Sequence, residues 1–187
     1  MLGLVTGDAA SGKSEFAESL AMKLSEKRIY AATMRNDGRE SADRIQKHRL
    51  MRKDKGFITF ECPMDAGAAA EQKLKENSSY FNGSCVLLED VPNLAANEMF
   101  RDAGVVPDPG DDRMIRDLFG QIMYLSKNCL HIIMVTGNLF SGGYDHDDAT
   151  MCYLKNLAML NRELAKACDE VYEVVCGIPV LLKGKKI

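Results

Sequence analysis

The chain has 187 residues, with 24 Lys and Arg against 27 Asp and Glu and a formal charge of −3. That length suits a single α/β domain over residues 1–187 with a core that needs no disulfides, and the acidic balance argues against a polyanion-coating protein, so no DNA or RNA partner is expected. No stretch approaches the roughly 18 uninterrupted apolar residues of a membrane span and no basic-then-apolar leader opens the chain, so the expectation is a cytoplasmic protein without a transmembrane segment.

Short apolar runs at Leu2–Thr6, 28–33, Cys85–Glu89, 131–136 and Glu170–Val175 read as strands buried on both faces, with a further strand-like stretch at 57–60. Helix-length segments separate them at 13–27, 40–53, 65–76, 92–103, 111–127 and 149–167. Strands alternating with helices predict a mostly parallel sheet with right-handed crossovers. Ligands then sit beyond the carboxyl ends of the strands.

The first strand runs directly into Gly7-Asp8-Ala9-Ala10-Ser11-Gly12-Lys13-Ser14, which fits G-x-x-x-x-G-K-[ST]. In such a loop the backbone N–H groups converge on phosphate, the following helix dipole adds positive potential, and Lys13 bridges β- and γ-phosphoryl oxygens. Ser14 offers its hydroxyl to Mg²⁺. Phe16, Ala17, Leu20, Ala21 and Leu24 then recur at helical spacing, so the motif has the strand before it and the helix after it that its mechanism requires. The fold class expected is α/β, a P-loop NTPase (RecA-like) three-layer arrangement with a mostly parallel central sheet.

Further along, Arg44, Lys47, His48, Arg49, Arg52, Lys53 and Lys55 concentrate basic charge in a net acidic chain. On a helix Arg44, His48 and Arg52 share a face. Flanking arginines disfavour protonation of the imidazole, leaving a ring nitrogen free for nucleophilic attack while the guanidinium groups grip phosphate. The competing reading is a solvated charged helix with an incidental histidine. Glu61 is either an acceptor for a guanine edge or ribose or a solvated loop carboxylate. Glu89, at the end of a buried strand, stands where P-loop enzymes hold a carboxylate near magnesium, with Asp90 as its local competitor and lysine pairing or helix capping as the alternative. Asn97 is a ligand contact or a core amide serving backbone groups.

Residues 102–113 and 137–148, rich in Gly, Pro and Asp, read as surface loops. Asp145, His146, Asp147 and Asp148 lack the ligand spacing of a metal site, and His131 at the start of a strand reads as structural. Cys62, Cys85, Cys129, Cys152, Cys168 and Cys176 lack C-x-x-C pairs and read as reduced core residues. Lys183 to Lys186 reads as a solvated tail.

Taken with Tyr30-Ala31-Ala32-Thr33, Arg44-Ile45-Gln46-Lys47-His48-Arg49, Glu61, Leu87-Leu88-Glu89, Asn161-Arg162-Glu163-Leu164-Ala165 and Val175-Cys176-Gly177-Ile178-Pro179, the phosphate loop resembles the bifunctional adenosylcobinamide kinase/adenosylcobinamide-phosphate guanylyltransferase family across nearly the full chain. The resemblance implies phosphorylation of the aminopropanol hydroxyl of adenosylcobinamide by ATP or GTP, then transfer of GMP from GTP through a guanylylated histidine, in cobalamin biosynthesis. It implies His48 as the covalent nucleophile and Lys13 as the other catalytic group. Nucleotide contacts then fall on Gly7, Asp8, Ala9, Ala10, Ser11, Gly12, Lys13 and Ser14, on Ala32, Thr33 and Met34, on Arg49, Leu50, Met51 and Arg52, and on Glu61 and Glu89. Ser14 and Glu89 are the implied magnesium ligands, and a homotrimer is the implied assembly. The chain departs from the family at Asp8, where a glycine is usual, at Ala10, where an arginine is usual, and in 137–148, which lacks the glutamate and proline of N-E-V-G-x-G-I-V-P. A kinase-only enzyme and a nucleotide-binding regulatory protein are the alternatives.

Overall fold

The computed structural model describes residues 1–36, 38, 46, 50, 52, 54–101, 112–139 and 147–185. In chain order the elements are β1 (Leu2–Thr6), α1 (Lys13–Leu24), β2 (Arg28–Ala32), β3 (Phe57–Glu61), α2 (Ala66–Glu76), β4 (Cys85–Glu89), α3 (Val91–Met99), α4 (Arg113–Asn128), β5 (His131–Val135), α5 (Asp148–Ala167), β6 (Glu170–Val175) and β7 (Ile178–Lys183). The strands form one 7-stranded sheet in the order β3-β2-β4-β5-β1-β6-β7. All neighbours are parallel except β6 and β7.

Continuous apolar strands work here because successive side chains point to opposite faces and both faces are covered. Val86 and Leu88 enter the core beneath α2, α3, α4 and α5, together with Leu4, Ile29, Ile132 and Met134. Cys85 and Leu87 enter the second core beneath α1, with Val5, Tyr30, Ile133 and Val135. Leu87 and Leu88 are both fully buried, and each contributes about 1.5–3 kcal/mol by leaving water. This is the three-layer α/β arrangement expected from the alternation of elements.

Several boundaries differ from the sequence expectation. The first helix stops at Leu24 because Ser25 turns extended, leaving Lys27 to donate to the carbonyls of Ser79 and Asn82. Thr33 leaves β2 because its hydroxyl engages the backbone of Asp90. The strand-like stretch 57–60 is β3, which extends to Glu61 and, at the sheet edge, is largely exposed. A seventh strand, Ile178–Lys183, precedes the basic ending, its alternation hidden by a run of apolar residues; Lys183 belongs to it and caps α5 by donating to the carbonyls of Ala165 and Lys166 at 3.1 and 2.8 Å, Gly184 and Lys185 follow it exposed, and Lys186 lies outside the described residues. Most of the basic helix expected at 40–53 and of the loops at 102–113 and 137–148 lies outside the described residues.

Candidate active site

Strand register sets one wall of the site. Glu61 pairs with Ala32, Ala32 with Glu89, and Glu89 with Val135, so residues far apart in sequence form a row across the carboxyl ends of β3, β2, β4 and β5. This row lines a cleft of about 260 Å³, with Tyr30 and Thr59 two positions back on the same face and Ala9, Ala10, Lys13 and Ser14 opposite.

The opposite side is backbone. At Gly7 a Cβ would lie 2.6 Å from the carbonyl oxygen of Val174 and 2.6 Å from Ser11 Oγ, so no larger residue fits. Gly12, with φ 90°, caps α1 in the left-handed region. The turn is pinned by Ser11 N–H donating to Asp8 O at 3.2 Å and by Gly177 N–H donating to Ser11 O at 2.8 Å. α1 has no side-chain cap at its N-terminus, so its first amides and its dipole are directed at the loop, the arrangement that binds an anion. Lys13 Nζ donates to Asp8 O at 3.0 Å, folded over that same loop.

The Ser14 hydroxyl lies beside the Glu89 side chain and favours its charged form. Glu89 is buried, and its second carboxylate oxygen has no hydrogen-bond partner. Burial pushes its acid strength down, raising the pKa above the usual carboxylate range; Ser14 and Arg52 oppose the shift, while Asp90 and Glu18 add to it. A hydroxyl and an unsatisfied carboxylate oxygen side by side suit a hard divalent cation. Asp90 is committed elsewhere: its carboxylate accepts from Asn93 N–H at 2.7 Å and caps α3.

Thr33 is fully buried behind the rim; its Oγ1 donates to Asp90 O at 2.9 Å and accepts from Asp90 N–H at 2.6 Å. Asn97 donates to the carbonyls of Thr33 and Pro63 at 2.9 and 2.8 Å. Of its two sequence readings, the backbone-serving amide is the one observed. These contacts tie the loop after β2 to the loop after β3 and to α3.

Arg52 reaches the cleft from the basic segment. Its guanidinium lies 3.4 Å from the centre of the Tyr30 ring and 3.9 Å from Glu18 Oε1, and it is buried. Glu18 also pairs with Lys55. Gln46, Leu50 and Arg52 are helical, whereas His48, Arg49 and Met51 lie outside the described residues.

Ala9, Ala10, Lys13, Ser14, Ala32, Met34, Arg52, Glu61 and Glu89 thus line one cleft. Gly7, Asp8, Ser11 and Gly12 complete its loop, Thr33 supports it from behind, and Leu50 is exposed and does not line it. Glu18, Thr59 and Asn93 are not singled out by the sequence pattern, and Tyr30 enters there only within the stretch Tyr30-Ala31-Ala32-Thr33 of the family resemblance. Glu18 carried a readable signal: a carboxylate on the apolar face of α1, beside Ala17 and one turn after Ser14. Thr59 and Asn93 become visible only through sheet register and helix placement.

His131 opens β5 at the opposite end of the sheet, with Nδ1 3.1 Å from the Met1 nitrogen. Burial and that neighbouring charge lower its pKa, in keeping with a structural role. Asp147 caps α5 through Thr150 N–H at 2.7 Å, and among the described residues no group of His, Cys, Asp and Glu gathers as a metal cluster. None of the six cysteines forms a disulfide, and Cys176 is exposed rather than in the core. Among the described residues no helix is long and apolar enough to cross a membrane.

Residues 3–182 match the family model described as cobinamide kinase / cobinamide phosphate guanyltransferase. The chain is 30% identical over 190 residues to the bifunctional adenosylcobalamin biosynthesis protein CobU of Escherichia coli, covering 98% of this chain and 100% of that protein. It is 29% identical over 189 residues to CobU of Salmonella typhimurium, with 98% and 100% covered. To the bifunctional adenosylcobalamin biosynthesis protein CobP of Pseudomonas aeruginosa it is 26% identical over 187 residues, with both chains covered completely.

Proposed function

The chain belongs to the cobinamide kinase / cobinamide phosphate guanyltransferase family, and on that premise we propose that its single domain uses the strand-end cleft for both reactions. The observation that carries the reading is the meeting, in one cleft, of the phosphate loop with the Ala32, Glu61 and Glu89 row.

In the kinase step the aminopropanol hydroxyl of adenosylcobinamide attacks the γ-phosphorus of ATP or GTP, and the nucleoside diphosphate leaves. The amides of residues 7–14 hold the phosphates and Lys13 offsets charge as it moves to the leaving oxygens. Lys13 would exchange its hydrogen bond with Asp8 O for phosphoryl oxygens. Ser14 and Glu89, with the unsatisfied oxygen of the latter, fit Mg²⁺, which when bound would offset negative charge at the phosphates. Glu61 and Met34, at the rim, are placed to face the base or ribose.

In the transferase step a ring nitrogen of His48 attacks the α-phosphorus of GTP, forming a P–N bond as the Pα–O bond breaks and pyrophosphate leaves. An oxygen of adenosylcobinamide phosphate then attacks the same phosphorus and expels the histidine, giving adenosyl-GDP-cobinamide. Arg52 in the cleft supports this reading, since it brings the basic segment to the nucleotide site. A reducing, cytoplasmic setting is supported by six thiols that form no disulfide. Association between copies is supported by the exposed apolar row Ile178, Val180 and Leu182 on the outer strand β7, and the homotrimer is the form the family resemblance implies.

Incubation with α-labelled GTP and Mg²⁺ tests the proposal. An acid-labile covalent label that disappears in His48→Asn is the expected result. Phosphorylation of adenosylcobinamide without any covalent label would leave a kinase alone, and nucleotide binding without either activity would make the chain a regulatory protein.

A further inference from the structure

Glu18 is a buried carboxylate on α1, one helical turn beyond Ser14 and outside the residues that line the cleft. Its burial is tolerable because two cations reach it: Lys55 directly, and Arg52 at 3.9 Å as an ion pair rather than a hydrogen bond. Arg52 is held on a second side by the Tyr30 ring, 3.4 Å from its centre. The same guanidinium also lines the cleft beside Glu89, whose free oxygen is buried without a partner.

An arginine near an unsatisfied buried carboxylate should close on it, since a bidentate guanidinium–carboxylate pair is among the strongest polar contacts available. Here it does not. Glu18 and Tyr30 supply the competing attraction, one electrostatic and one through the ring face. Were Arg52 to pair with Glu89, its donors would occupy the oxygen that stands beside Ser14. We propose that Glu18 is a positioning residue that draws Arg52 aside from Glu89 and so keeps the free Glu89 oxygen available to a divalent cation at the phosphate loop. This rests on the reading of Ser14 and Glu89 as the cation-binding pair. It adds a function for a residue outside the lining of the cleft, and it gives a reason for a carboxylate on the apolar face of α1.

The test is a double-mutant cycle read by Mn²⁺ affinity, measured by electron paramagnetic resonance on the full chain saturated with GTP. Glu18→Gln keeps the shape of the side chain but removes the charge, so Arg52 is released toward Glu89 and Mn²⁺ binding should weaken on the order of tenfold. In an Arg52→Gln background there is no guanidinium to redirect, and adding Glu18→Gln should change Mn²⁺ affinity by less than about twofold. A loss of the same size in both backgrounds, or no loss in Glu18→Gln, overturns the proposal; a merely structural carboxylate would lower thermal stability without this dependence on Arg52. Should Glu18→Gln fail to fold, Tyr30→Leu loosens Arg52 from its other side. That variant should weaken Mn²⁺ in the same direction, and unchanged Mn²⁺ affinity in it would overturn the proposal. Mn²⁺ affinity requires no turnover, so a chain lacking the covalent His48 label would defeat the transferase reading while this outcome stays readable.

Discussion

The two sides of the cleft are built on different principles. The loop side is eight consecutive residues, Gly7 to Ser14, and its chemistry is mostly main chain: directed amides, a helix dipole, and turns that exclude side chains at Gly7. The strand-end side is assembled from separate strands and works through side chains, chiefly Glu89, Glu61 and Arg52. A main-chain site depends on backbone geometry more than on side-chain identity, and this chain carries Asp8 and Ala10 where the family usually has other residues. A side-chain site instead depends on what holds each group in place, and here that means Thr33, Asn97, Tyr30 and Glu18. Substitutions on the loop side should therefore abolish function through geometry or charge at the phosphates, and those on the strand side should act in graded fashion.

The largest effect belongs to the loop. Lys13→Ala removes the one side-chain cation contributed by Gly7 to Ser14, and phosphoryl transfer to adenosylcobinamide should fall on the order of 10²–10³-fold. Circular dichroism and the melting temperature should stay close to wild type, because the Lys13 ammonium is committed only to an exposed carbonyl of the loop. Gly7→Ala tests the same side by sterics. Its Cβ would collide with the Val174 carbonyl at 2.6 Å, so the loop must shift, with a stability loss of about 1–3 kcal/mol by denaturant titration and a matching loss of GTP binding.

This difference also explains what could be read from the amino-acid sequence. The loop was legible because its function is contiguous: Gly7, Gly12, Lys13 and Ser14 stand at fixed spacing between an apolar strand and an amphipathic helix. Glu89 was legible as a carboxylate ending a buried strand. That it shares a row with Ala32 and Glu61 was not, because the row depends on a strand order in which β2 sits between β3 and β4. Asn97 could not be assigned between ligand and support from sequence, since an amide at that position is compatible with both; the choice comes from two backbone carbonyls that only the fold brings within 3 Å. β7 escaped notice because Val180, Leu181 and Leu182 hide the alternation of an edge strand. His48 rests on the resemblance and the basic pattern around it.

Glu89→Gln sharpens the comparison from the strand side. Losing the charge proposed to hold the cation while keeping the side-chain shape should reduce Mg²⁺-dependent phosphoryl transfer on the order of 10²-fold, partly recoverable at higher metal concentration. Its stability should move the opposite way. Burial raises the folded-state pKa of Glu89 above its unfolded value. The protonated carboxyl therefore stabilises the fold fully below the unfolded pKa, and that contribution is lost as pH rises through the folded pKa. Without metal, Glu89→Gln should melt higher than wild type at neutral pH, and the gap should close as the solution is acidified below the ordinary glutamate range. Thermal melts from pH 4 to pH 8 in chelator, repeated with Mg²⁺, check both signs. A wild type that melts above the variant in chelator at neutral pH would remove the argument that the free Glu89 oxygen is held unsatisfied.

The smallest effect should come from the support behind that wall. Asn97→Ala leaves the carbonyls of Thr33 and Pro63 without the amide that joins them, and an orphaned buried acceptor costs about 1–3 kcal/mol. The loops after β2 and β3 then lose a tie to α3, while β1, α1 and the phosphate loop keep every contact described for them. GTP affinity should weaken only a few-fold, as Met34 and Glu61 drift at the rim, and turnover at saturating nucleotide should remain close to wild type. Calorimetric GTP binding alongside kcat for the kinase step separates the two. A fall in kcat as large as that of Glu89→Gln would mean that the rim is part of the phosphate machinery, and the division between a main-chain cradle and a side-chain wall would no longer describe this site.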